Sequence, residues 1–113
     1  MNRRRRRSGP ELVIISWRDI PAQVTATNGE NKSTLVLSDR FQHAIDRAAA
    51  VAGLTDTKAY VNEWRRATRP LLSDELAAEV ATITAGLEAD YSRARLESIV
   101  AGGGLDSALT STD

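Results

Sequence analysis

Glu11-Leu-Val-Ile-Ile-Ser-Trp-Arg-Asp-Ile-Pro-Ala-Gln-Val-Thr-Ala-Thr-Asn-Gly29 is the stretch that decides the fold class of this chain. Its first seven residues are rich in β-branched and aromatic side chains, which suit a pleated, packed surface. Leu12 and Ile14 project to one side of such a strand, and Val13, Ile15 and Trp17 to the other. Both faces are apolar, so the strand requires cover on both sides or a partner. Asp19-Ile20-Pro21 reads as a tight connection, because proline fixes its own φ and pushes the residue before it to extended geometry. Gln23 to Thr27 alternates, with Val24 and Ala26 inward. Asn28-Gly29 is a strong hairpin signal, since both residues tolerate positive φ. Lys32-Ser-Thr-Leu-Val-Leu37 then returns as a third strand, giving a three-stranded antiparallel meander over about 11–37.

Three helices are expected after it, over about 39–52, 56–68 and 74–101, which makes the class α+β. Ser38 is the expected N-cap of the first, with Asp39 at the positive end of its dipole. Phe41, Ile45, Ala48, Ala49 and Ala52 share one face, and Gly53 stops the helix. In the second, Tyr60, Val61, Trp64 and Ala67 form a stripe that ends before Pro70. Ser73 caps the third, which carries Asp74 and Glu75 in its first turn. Leu76, Val80, Ile83, Leu87, Tyr91 and Ala94 line one side of it, while Leu96, Ile99 and Val100 fall on the opposite side. A core this small cannot bury both stripes of one straight helix. Either the helix bends near Ser92, or Leu96, Ile99 and Val100 meet a protein partner or a second copy. Gly102-Gly-Gly104 ends it. The organisation expected is a disordered basic leader over 1–10, one domain over 11–101 and a flexible tail over 102–113.

Bulk composition narrows the function classes. At 113 residues with 42% apolar and 27% charged side chains, the chain is ordinary globular material for a single modest core. It has no cysteine, which removes disulfides and thiolate metal sites and fits a reducing cytoplasm. No apolar run approaches a membrane span, and the basic N-terminus lacks the apolar middle of a signal peptide. The net charge of zero hides an asymmetry: Arg3 to Arg7 supply five of fifteen basic residues and leave an acidic remainder. Such an arm, without interleaved aromatics, gives weak and sequence-blind attraction to nucleic acid. A solubilising leader is its simpler role.

The residues for chemistry are missing. His43 is the single histidine and lies opposite the Phe41/Ile45 face, so neither a histidine acid–base pair nor a two-histidine metal site can form. No serine sits in a nucleophile elbow, and no lysine follows Gly102-Gly-Gly104 to make a phosphate loop. Asp74/Glu75 and Glu88/Asp90 read as cap and surface charges, without calcium-type spacing. No catalytic residue, metal or cofactor is expected. What remains is a binding surface built from Trp17, Arg18 and Asp19 at the end of the first strand and Trp64, Arg65 and Arg66 at the end of the second helix. Tryptophan and arginine dominate interface hot spots, and arginines can clamp an anionic small molecule bidentately. The competing reading makes both tryptophans core anchors, with Arg18 and Asp19 in a local salt bridge.

Three strings carry a resemblance: Ser16-Trp-Arg-Asp-Ile-Pro-Ala-Gln-Val24, Leu37-Ser-Asp-Arg-Phe-Gln-His-Ala-Ile-Asp-Arg-Ala48 and Tyr60-Val-Asn-Glu-Trp-Arg-Arg66. In this order and spacing, the chain resembles the bacterial virulence factor domain, also found at the C-terminus of conserved virulence factor C proteins. The resemblance covers roughly Leu12 to Arg69; the arginine leader and glycine-rich tail depart from it. The family name reports a phenotype, and the resemblance supplies no catalytic residues. It implies an accessory protein that accompanies folate- or corrinoid-linked one-carbon enzymes. The expected function is thus non-catalytic contact with a protein partner, with anion binding and nucleic-acid binding as the alternatives.

Overall fold

A computed structural model describes residues 10–54, 56–71 and 74–106. The elements run β1 (Glu11–Trp17), β2 (Ile20–Asn28), β3 (Asn31–Val36), α1 (Asp39–Val51), α2 (Thr57–Val61), β4 (Trp64–Pro70), α3 (Leu76–Asp90) and α4 (Arg93–Ala101). The class is α+β, built on an antiparallel sheet in the order β3-β2-β1-β4. The first three strands form the expected meander, with both turns displaced by a residue. The β1–β2 turn is Arg18-Asp19, between paired Trp17 and Ile20, and Arg18 takes the left-handed φ of 51°. The β2–β3 turn is Gly29-Glu30, and Gly29 alone supplies its positive φ of 65° while Asn28 stays in the strand.

Pro21 sits inside an interior strand, where a missing N–H would cost a ladder bond. The pairing accommodates it: Ile15 opposes Gln23 but Ser16 opposes Pro21, so Ala22 is an extra residue in a bulge. The Ala22 carbonyl accepts from the Leu37 amide at 2.9 Å, which turns the chain from β3 toward α1.

The expected helix over 56–68 is replaced by a short helix and a fourth strand. Asp56 caps α2 by accepting from the Ala59 amide at 3.3 Å, but the helix ends at Val61. Trp64–Pro70 then pairs with β1, from Trp17 opposite Trp64 to Glu11 opposite Pro70. The cause is non-local, since the second edge of β1 carries backbone groups that need partners. An edge strand with nearly every side chain in solvent shows no apolar alternation, so nothing in Trp-Arg-Arg-Ala-Thr-Arg-Pro70 announces it.

The long helix over 74–101 is two helices. Tyr91 leaves helical geometry with φ −100° and ψ 77°, and the Ser92 hydroxyl restarts it by accepting from the Arg95 amide at 3.1 Å. The bend lets both stripes be buried. Val80, with Leu76, Ile83 and Leu87 beside it, packs on Leu12, Ile14, Val24 and Ala26 on one sheet face. Leu96, Ile99 and Val100 instead join Phe41, Ala44, Ile45 and Ala48 of α1, with Trp17 and Ile20, in a second cluster. They are therefore core residues of this fold, buried within it instead of forming the exposed stripe expected to meet a partner or second copy.

Ser38 occupies the N-cap position of α1 without capping it. Its hydroxyl and amide both donate to the Glu88 carboxylate, at 2.9 and 2.7 Å, and Arg40 adds a third bond at 3.1 Å. Burial alone would raise the Glu88 carboxyl, but the Ser38 hydrogen bonds and the Arg40 charge hold it below the usual glutamate range. Gly103, Gly104 and Asp106 are buried, so the folded unit continues to Asp106 instead of ending at 101. The Ser73 cap, the arginine run and residues 107–113 lie outside the described residues. Among the described residues, no helix is long and apolar enough to cross a membrane.

Candidate functional site

Because β1 ends where β4 begins, the register sets Trp17 opposite Trp64 and Ser16 opposite Arg65. Trp17 is fully buried. Its Nε1 donates to the Tyr60 carbonyl at 2.8 Å, and Tyr60 stacks on it at 5.5 Å while meeting Trp64 edge-on at 6.1 Å. Arg18 lies over the Trp17 ring at 5.4 Å, donates from Nε to Glu63 at 2.9 Å and from Nη1 to the Gly103 carbonyl at 3.0 Å. Its left-handed backbone costs on the order of 1 kcal/mol, which these bonds offset.

Asp19 completes the corner. Its amide donates to the Gly104 carbonyl at 2.9 Å, and its carboxylate accepts from the Asp106 amide at 2.7 Å and from Arg65 Nη1 at 3.2 Å. Asp106 is in turn held by Arg95 through Nε and Nη2, at 3.2 and 3.0 Å. Gly104 has φ 97°, and a Cβ there would stand 2.8 Å from Trp17 Cζ3. Only glycine lets the chain after α4 close over the indole.

The structure thus brings Trp17, Arg18, Asp19, Trp64 and Arg65 into one corner, where each arginine already holds a carboxylate. Arg66 stands apart, exposed on the opposite sheet face from Arg65. Tyr60, Glu63, Gly103, Gly104 and Asp106 belong to the same corner and were not among the sequence candidates. Tyr60 and Glu63 showed only as members of the Tyr60–Arg66 string, and Gly103 and Gly104 only as a glycine run that reads equally well as a helix stop.

Beside the corner lies an open groove of about 240 Å³ between α1 and the sheet face opposite α3. Ile15, Gln23, Val36 and Trp64 line its sheet side and Phe41 its helix side. α3 covers the other face of the sheet, and Val36, the last residue of the edge strand β3 and paired with Gln23, is 70% exposed. The Thr25 and Thr34 hydroxyls, 2.9 Å apart, continue this face away from the groove.

A family model described as virulence factor matches residues 15–100, most of the chain. The chain belongs to the virulence factor family. No curated protein and no solved structure matches it. The virulence factor match begins at Ile15 in the groove and ends at Val100, so it takes in Trp17, Arg18, Asp19, Tyr60, Glu63 and Trp64 but stops short of the glycine closure.

Elsewhere the virulence factor domain shows ordinary surface chemistry. His43 lies with Arg40, Arg47, Arg93 and Glu97 around a shallow hollow between α1 and α4. There the Glu97 hydrogen bonds raise Arg47, and the same bonds hold Glu97 below the usual carboxylate range. Among the described residues, no three histidine or acidic side chains converge in a way that could hold a metal ion.

Proposed function

We propose that this virulence factor domain is a non-catalytic interaction protein, an accessory partner of a metabolic enzyme, engaging that partner through the groove between its sheet and α1. The observation that carries this reading is the open groove beside α1, where half-buried Ile15 and Trp64 and the 70%-exposed Val36 present apolar surface. Exposed apolar surface is costly to leave in water, and the Gln23 and Gln42 side chains beside it match the polar surround of a docking patch. The tryptophan supplies a rigid, wide anchor of the kind that concentrates binding energy. Resemblance to proteins that accompany one-carbon enzymes supports an enzyme of that class as the partner.

The test compares wild type with Val36→Lys by cross-linking and co-purification from the protein's own cell. Wild type should retain a defined partner, and Val36→Lys should lose it while melting at the same temperature. A wild type that purifies only as a free monomer, or a variant that keeps the partner, overturns the reading.

A further inference from the structure

We infer that the outer edge of β4 takes up an acidic, extended segment of a partner protein as a fifth strand of the sheet. The inference rests on the interaction reading above but uses a different surface from the groove.

The geometry starts from one hydrogen bond. The Arg18 amide donates to the Glu63 carbonyl at 3.0 Å, which fixes the phase of the β1–β4 ladder. Hydrogen-bonded pairs alternate in an antiparallel ladder, so Ser16/Arg65, Ile14/Ala67 and Leu12/Arg69 are the bonded pairs. The N–H and C=O groups of Trp64, Arg66 and Thr68 therefore point away from β1, along an edge that no other strand pairs among the described residues. Pro70, with no N–H, closes the row at one end. The first of these residues, Trp64, is also a wall of the groove, so the two surfaces meet there.

Charge then selects the occupant. β4 carries Arg65, Arg66 and Arg69 and no acidic residue. Arg65 is bound to Asp19, whereas Arg66 and Arg69 have no carboxylate partner among the described residues. Arg66 lies on one face of the strand and Arg69 on the other, so an added strand meets a positive charge on either side. A second copy of β4 would set arginine against arginine, and like charges opposed across a ladder are destabilising. Edge arginines of this kind block indiscriminate self-pairing. Carboxylates opposite Arg66 and Arg69 convert that block into selection, the backbone supplying affinity and the charges specificity. The other open edge, β3, carries Lys32 alone and offers no such strip.

The experiment uses the full chain, isotopically labelled, with a capped peptide alternating glutamate and valine as the probe. Amide exchange at Trp64, Arg66 and Thr68 should slow, while the β3 amides stay unchanged. The matching lysine–valine peptide should do nothing. Arg66→Glu with Arg69→Glu should weaken the acidic peptide by about tenfold or more at low salt. Thr68→Pro should block it without touching the β1 ladder, since that N–H faces outward. Three results overturn the inference: no slowing at β4, equal slowing by the basic peptide, or the same resonances shifted as strongly by oligothymidylate, which would assign the arginines to phosphate. Val36→Lys lies on β3, so loss of a partner in that variant with β4 peptide binding intact separates failure of one surface from failure of the other.

Discussion

The two ends of the β1–β4 ladder share the same strands and pairing, yet they differ in character. At the Trp17/Trp64 end, the ring, guanidinium, carboxylate and carbonyl groups bond to one another, and Gly103, Gly104 and Asp106 seal the indole. Toward Pro70, β4 is exposed along its length and its arginines run out of partners. Arginine does not separate the two ends, because it occurs at both, whereas the two tryptophans face each other at one. What also differs is the number of other elements that reach each end. The Trp17 end is met by α2, α4 and the segment after it; along the other half of β4 the strand contact among the described residues is with β1. A side chain's role here follows from how many elements converge on it.

The strongest way to break this contrast is to open the sealed end. Gly104→Ala places a Cβ against Trp17 at a φ that L-residues avoid, and should cost about 2–3 kcal/mol, read as a lower urea midpoint with the indole emission shifted to the red. An unchanged midpoint would mean that the glycine closure is ornamental. Arg18→Gly is subtler, because it relieves the left-handed backbone while removing the bonds to Glu63 and Gly103. The bonds should win, with a net loss of about 1 kcal/mol; a gain in stability would make backbone strain the larger effect.

Glu88 extends the comparison to the α1–α3 junction. Its folded carboxyl is held below the ordinary value, so its stabilisation is present above the unfolded pKa, about 4.3, and is lost as pH falls through the folded one. Glu88→Gln should lower stability near neutrality by up to about 1 kcal/mol. It should also flatten the acid limb of a urea-midpoint titration; parallel wild-type and variant curves would remove Glu88 from the pH dependence. The smallest effect belongs to the open face. Val36→Lys should change the midpoint by less than about 0.5 kcal/mol, and a larger loss would show that the groove is packed more tightly than its exposure indicates.

The meander, α1 and the stripe of α3 were legible in the sequence because each buries a periodic apolar face against its nearest neighbours. β4 was not. Trp64, Arg65, Arg66 and Ala67 are adequate helix formers, and only the distant, unsatisfied edge of β1 makes them a strand. That error hid the apposition of the two tryptophans, because cross-strand neighbours cannot be inferred when one strand is read as a helix. The split stripe of the third helix did signal a break, and Ser92 marked its place. The corner's closure was invisible for another reason: Asp19 and Asp106 carry no local pattern that links them.

Their bond joins residues 87 positions apart. Loop-closure entropy must be met before a contact of that span contributes anything, so the hairpins and helices form first and this corner closes late. Before it closes, the side of the Trp17 ring that Gly104 covers stands open, while Tyr60 and the α1–α4 cluster pack against the rest. The segment through Asp106 is therefore a latch over one side of the indole, and stopped-flow tryptophan fluorescence is expected to record its closure as the last phase of folding.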